Sequence, residues 1–97
     1  MSSVLTTSHE RTLLLVLSKF VVLRRESFGG LMFDHRDSSV TELGHDTHKL
    51  LLLCDGTHTF SQVVDRFHLS VHKQVTELIG VLVRRGVVRE LTTVSTA

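Results

Sequence analysis

Proline is absent from these 97 residues, and no stretch is rich in glycine and serine, so the chain reads as an ordered globular protein and not as a linker. Cysteine occurs once, at Cys54, which excludes an internal disulfide framework and fits a reducing compartment. Because Cys54 sits in an apolar helical run, a buried inert thiol is expected there and not a nucleophile. A dominant charge is missing as well: 11 Lys and Arg face 10 Asp and Glu, leaving +1 with the histidines neutral. That balance argues against nucleic acid, although a local basic patch would suffice for it. Long apolar runs are also lacking. The longest near the N-terminus, Leu13–Leu17, lies between Arg11 and Ser18-Lys19 and is too short for a membrane span or a signal-peptide core. A cytoplasmic protein without membrane contact is the expectation.

Catalytic machinery is missing too. No Ser-His-Asp order, nucleotide-binding glycine loop or paired acid/base motif has supporting context. Phe28-Gly29-Gly30 leads into a strand, whereas a phosphate loop leads into a helix N-terminus, so a tight turn or bulge is its expected role. Seven histidines invite a metal site, and His45/His48 and His68/His72 have the spacing of neighbouring helical turns. Neither pair is completed by a Cys-His or carboxylate-rich cluster. No enzyme activity, cofactor or metal is therefore expected.

What is present is a 41% hydrophobic chain dominated by Leu and Val, enough for one small core. Residues 1 to 18 form an extension: a polar Ser/Thr lead, then Leu13–Leu17, whose lack of a period leaves a strand, a short helix and a subunit contact all open. The β-branched run at 19 to 25, the segment 31 to 34 and Ser39–Leu43 predict three antiparallel strands, with His35-Arg36-Asp37-Ser38 as a polar turn. Gly44 ends the sheet, and Asp46 or Thr47 caps a helix through Leu50, Leu51, Leu52, Leu53 and Cys54, stopped by Asp55-Gly56. Thr59 caps a second helix reaching Phe67. Ser70 caps a third, with Val71, Val75, Leu78 and Leu82 inward and Gly86 as its stop. Residues 87 to 91 read as a closing strand and 92 to 97 as a polar, disordered tail. The fold class is α+β, resembling a winged helix-turn-helix: a three-stranded antiparallel sheet followed by three helices, over residues 19 to 91.

Between residues 20 and 67 the motifs Glu26-x-Phe28-Gly29-Gly30, the apolar strand ending Phe33-Asp34, Glu42-Leu43 and the helix ending Leu53-Cys54-Asp55-Gly56 stand in one order. In that order and spacing the chain resembles PqqD-like proteins, the recognition elements of ribosomally made, enzymatically modified peptides. It departs from many of them at Leu43-Gly44, where they carry Leu-Asn, and at Thr47 and Leu51, where they carry a small residue and an aromatic. The resemblance implies a non-enzymatic chaperone. A precursor's leader peptide would add as a strand beside the third strand and fill a groove against the third helix. The modifying enzyme served would be of the radical S-adenosylmethionine kind, with a lasso-peptide protease or a cyclodehydratase as alternatives.

Edge-strand chemistry permits this, since unpaired N–H and C=O groups are completed by an extended peptide. Val40, Thr41, Glu42 and Leu43 are the expected ladder. Four or five ladder bonds at about 1 kcal/mol net give roughly 5 kcal/mol, while micromolar binding needs about 8 kcal/mol, so groove side chains must supply the rest. A 100° step places Gln74, Val81 and Arg85 on one flank of the third helix and His72, Thr76, Ile79 and Val83 on the other. The first flank is the expected groove wall, with Leu78 added from the inward stripe, and Arg84 and Arg85 placed to hold an acidic leader residue.

Two other readings compete. Residues 60 to 85 followed by 87 to 91 also read as a helix-turn-helix with a wing, the form of a DNA-binding regulator. The outer face of Lys73, Glu77, Gly80 and Arg84 mixes charges and offers few base-reading side chains. A homodimer through residues 13 to 17 is compatible with either function.

Overall fold

The computed structural model describes residues 13 to 92. Its elements are β1 Leu13–Leu17, β2 Val21–Glu26, β3 Gly29–Asp34, β4 Ser39–Leu43, α1 His45–Leu53, β5 Asp55–Thr59, α2 Phe60–Asp65, α3 His72–Arg84 and β6 Val88–Thr92, with a 3-10 turn at Leu69–Val71 before α3. The architecture is α+β, with three helices and two three-stranded antiparallel sheets, ordered β2-β3-β4 and β5-β1-β6.

The second sheet corrects the expectation of one sheet followed by three helices. Leu13–Leu17 is its central strand, pairing with β5 on one side and β6 on the other. Leu15 at its centre is fully buried. The strand β5 has the sequence DGTHT; without apolar alternation it read as a helix stop followed by a helix cap. Its pairing partner, far away in sequence, makes it a strand.

In the first sheet the register runs Val22, Phe33, Val40 across one face and Leu23, Met32, Thr41 across the other. Successive residues alternate faces, so Val21, Leu23, Met32 and Leu43 turn to the core. Gly29 and Gly30 lie within β3 and do not break the chain before it. Gly29 has φ +139°, and a Cβ there would sit 2.3 Å from the Leu43 carbonyl oxygen. The β2–β3 hairpin is thus pressed against the β4–α1 corner at a point only glycine fits.

The helices begin at caps the spacing only partly foretold. Gly44, and neither Asp46 nor Thr47, is the N-cap of α1. Thr59 caps α2 in a reciprocal box with Gln62, but α2 stops at Asp65. Before α3, the His68 imidazole accepts the Ser70 amide and the His72 imidazole donates to the Phe67 carbonyl, which fixes the turn in place of a Ser70 cap. The buried stripe of α3 is Val75, Ile79 and Leu82, so Ile79, expected on a flank, is fully buried. Val71, expected inward, precedes the helix and is exposed.

Gly80 occupies an interior position of α3 where an added Cβ meets only the flexible Arg84 guanidinium, at 3.4 Å. Gly80→Ala is expected to raise stability by about 0.5–1 kcal/mol through lower unfolded-chain entropy and higher helix propensity. Urea unfolding of the two proteins measures it.

Candidate functional site

Among the described residues the β4 strand is an edge: it pairs with β3 alone, and its sequence SVTEL is mostly exposed outward, Val40 at 58%. An edge strand leaves alternate backbone N–H and C=O groups unpaired. Leu43 is the exception among its side chains, buried in the core beside the Gly44 corner.

Both ends of β4 are anchored. At its start the carboxylate of Asp34 accepts the Arg36 amide at 3.0 Å and the Arg36 guanidinium at 2.7 Å, closing the β3–β4 turn. Asp37 accepts the Ser39 amide, and Ser38 takes φ +61° to complete the reversal. The same guanidinium lies 2.7 Å from where a Cβ on Gly86 would be, at the end of α3. At its other end β4 turns through Gly44 into α1, whose Asp46, Thr47 and Leu50 face the N-terminal half of α3 across a groove. The turn before β4 thus lies against the C-terminal end of α3, and the turn after it leads into the wall of the groove. Among the described residues the strand packs on β3 and α1, and not broadly on α3.

Hydrogen bonding to Arg36 holds the Asp34 carboxyl down to about 2, from an ordinary 3.8. The folded value is the lower one, so this carboxylate's contribution to stability is complete above about pH 4 and is lost as pH falls through about 2. Asp34→Asn is expected to destabilise the protein at neutral pH and to flatten the acid limb of its stability profile. Urea midpoints from pH 2 to pH 6 follow this.

The groove between α1 and α3 measures about 200 Å³ and is lined mainly by Leu50, Phe67, Val71, Val75 and Leu78, with Asp46, Thr47 and Gln74 at its polar rim. Lys49 braces one wall: its ammonium donates to the Arg66 carbonyl at 3.2 Å and lies 4.9 Å from the Phe67 ring centre. Leu69, on the adjoining 3-10 turn, is 77% exposed.

Of the residues expected to bind, Gln74 and Leu78 line this groove. Val40, Thr41 and Glu42 lie on the exposed edge strand outside it. Val81 and Arg85 continue the Gln74–Leu78 side of α3 two turns on, seven residues giving nearly the same direction, and with Arg84 they stand beyond the groove wall. Sequence reasoning missed Phe67 and the α1 wall. Phe67 belonged to a helical stripe, and nothing in Asp46-Thr47 distinguished a groove rim from a cap. Val71 was assigned to the core for the same reason, its three- and four-residue spacing.

Cys54 is buried, donates its S–H to the Leu50 carbonyl, and has its thiol pushed up to about 12 by burial, with Asp55 adding to the shift. It stays protonated and unreactive. Asp55 in turn has its carboxyl held down by the Thr57 hydroxyl and amide, which fixes the α1–β5 corner. Among the described residues no three His, Cys, Asp or Glu side chains gather as a metal site, and no helix is long and apolar enough to cross a membrane. Compared with known proteins, the sequence matches no family model and has no detectable similarity to a curated protein.

Proposed function

We propose that the chain is a non-enzymatic peptide-binding module of the cytoplasm, taking the leader of a ribosomally made precursor as an added strand on β4 and handing it to a modifying enzyme. The supporting observation is an open edge strand beside an apolar groove: among the described residues β4 pairs with β3 alone, and it turns through Gly44 into α1, which forms one wall of the groove.

Backbone bonds along Val40, Thr41 and Glu42 give affinity that is indifferent to sequence, about 1 kcal/mol each. The groove supplies selection. Burying one or two aliphatic or aromatic side chains among Leu50, Val71, Val75 and Leu78 contributes about 1.5–3 kcal/mol apiece, which closes the gap to micromolar binding. Arg85 and Arg84, further along α3, meet an acidic residue of the same peptide. The client enzyme is of the radical S-adenosylmethionine kind, a reading that rests on the resemblance alone.

Peptides tiled across the short reading frames beside the gene, titrated into 15N-labelled protein, test this. One of them is expected to shift the amides of residues 40 to 43 and 71 to 78 at micromolar concentration. If every peptide leaves those amides in place, the reading fails. Salt-sensitive retardation of duplex DNA would instead favour the regulator, for which the mixed exposed face of Lys73, Glu77 and Arg84 is poorly suited.

A further inference from the structure

On the other side of α1 lies a second recess, about 280 Å³, between the β2–β3 hairpin and the faces of His45, His48 and Leu52. Its polar groups are unusual in what they lack. The imidazoles of His58, His68 and His72 each hydrogen-bond nearby backbone, whereas those of His45 and His48 have no hydrogen-bond partner among the described residues. His48 is only 7% exposed. Its ring packs against Gly30, where an added Cβ would overlap it. Among the described residues no side-chain nitrogen is both sealed from solvent and unpaired, so the nitrogens of this ring stay open to water, and the ring lines the recess.

Three further features give the recess a sign. Arg25 lines it, exposed, its guanidinium with no ion-pair or hydrogen-bond partner among the described residues. Gly44 provides no side-chain cap at the positive end of α1, a nine-residue helix whose first turn carries the acidic Asp46. The one carboxylate on the wall, Glu26, is ion-paired to Arg24. Lys49 also lines the recess, but its ammonium is engaged with the Arg66 carbonyl. Among the described residues no metal-holding cluster competes for the imidazoles.

We infer that this recess binds an oxyanion, the group being a carboxylate or a phosphate, held by the Arg25 guanidinium, the His48 and His45 imidazoles and the first-turn amides of α1. A planar guanidinium and helix-end amides are the donors that carboxylate and phosphate oxygens accept from. The site is separate from the apolar groove and does not depend on the peptide reading.

The full chain, 15N-labelled, is titrated with sodium sulfate and, separately, with sodium acetate, sodium chloride keeping ionic strength constant. Saturable shifts are expected at the His45 and Asp46 amides and the His48 ring. Sulfate saturating at the lower concentration marks a phosphate-like ligand, and acetate doing so marks a carboxylate. Arg25→Gln, at an exposed position, is expected to weaken the better anion about tenfold, the loss of one charge-assisted pair. Shifts that rise linearly with both salts, or saturation undiminished in Arg25→Gln, would overturn the inference.

Discussion

Gly29→Ala is expected to destabilise the protein by about 3–5 kcal/mol, most of what a small domain has to lose. Two independent causes act at this position. The backbone sits at φ +139°, which a Cβ-bearing residue adopts only under strain. The added Cβ would also lie 2.3 Å from the Leu43 carbonyl oxygen and 2.6 Å from the Gly44 carbonyl carbon. These are backbone atoms, so no rotamer change relieves the clash; the β2–β3 hairpin must lift from the β4–α1 corner. Gly30→Ala meets the His48 ring instead, a side chain that can move at the expense of its packing, and is expected to cost less. Gly44→Ala finds nothing within 4 Å and is expected to stay within about 0.5 kcal/mol of the wild type. Urea unfolding of the three variants ranks them, and a Gly29→Ala midpoint equal to wild type would show that the hairpin does not press on the corner. Because that corner fixes both the direction of β4 and the start of α1, peptide binding is expected to fall with it.

Leu78→Glu is expected to weaken peptide binding at least thirtyfold, about 2 kcal/mol, while lowering stability by only about 1 kcal/mol. Leu78 is half-buried and lines the groove beside Val75 and Leu50, so a carboxylate there removes an apolar wall and faces Asp46 across the rim. Calorimetric titration of wild type and variant with the same peptide measures the loss. Leu91→Gln, an equally apolar exposed position on β6, is the control and is expected to bind as wild type. A Leu78→Glu protein that folds and binds undiminished would remove the groove from the account.

The sequence carried the first sheet and α3 well because their signals are local. The β-branched run at 19 to 25, the Asp-Ser turn and the Thr59 cap each depend on neighbours within a few residues, and each appears where expected. The second sheet was not legible, since β5 owes its strand to pairing with β1 some forty residues earlier. The α3 stripe shows the same limit more finely. Val71, Val75, Leu78 and Leu82 fit a helical period as well as Val75, Ile79 and Leu82 do, and only the packing of β6 and α2 on α3 selects the second. The groove follows from that choice: with Ile79 inward, the Gln74–Leu78 side turns toward α1. Gln74 is readable as a flank of the helix and Leu78 as part of its inward stripe, whereas Asp46, Thr47 and Phe67 become groove residues only once α1 is placed opposite them.

The central claim is that an extended peptide pairs with β4 while its side chains enter the groove. Isotope-filtered nuclear Overhauser contacts in the bound state test it most directly. Contacts are expected between peptide α-protons and the backbone of Val40, Thr41 and Glu42, together with contacts from peptide side chains to Leu50, Val71 and Leu78. A bound peptide that touches the groove without lying along β4, or that binds elsewhere on the chain, would contradict it.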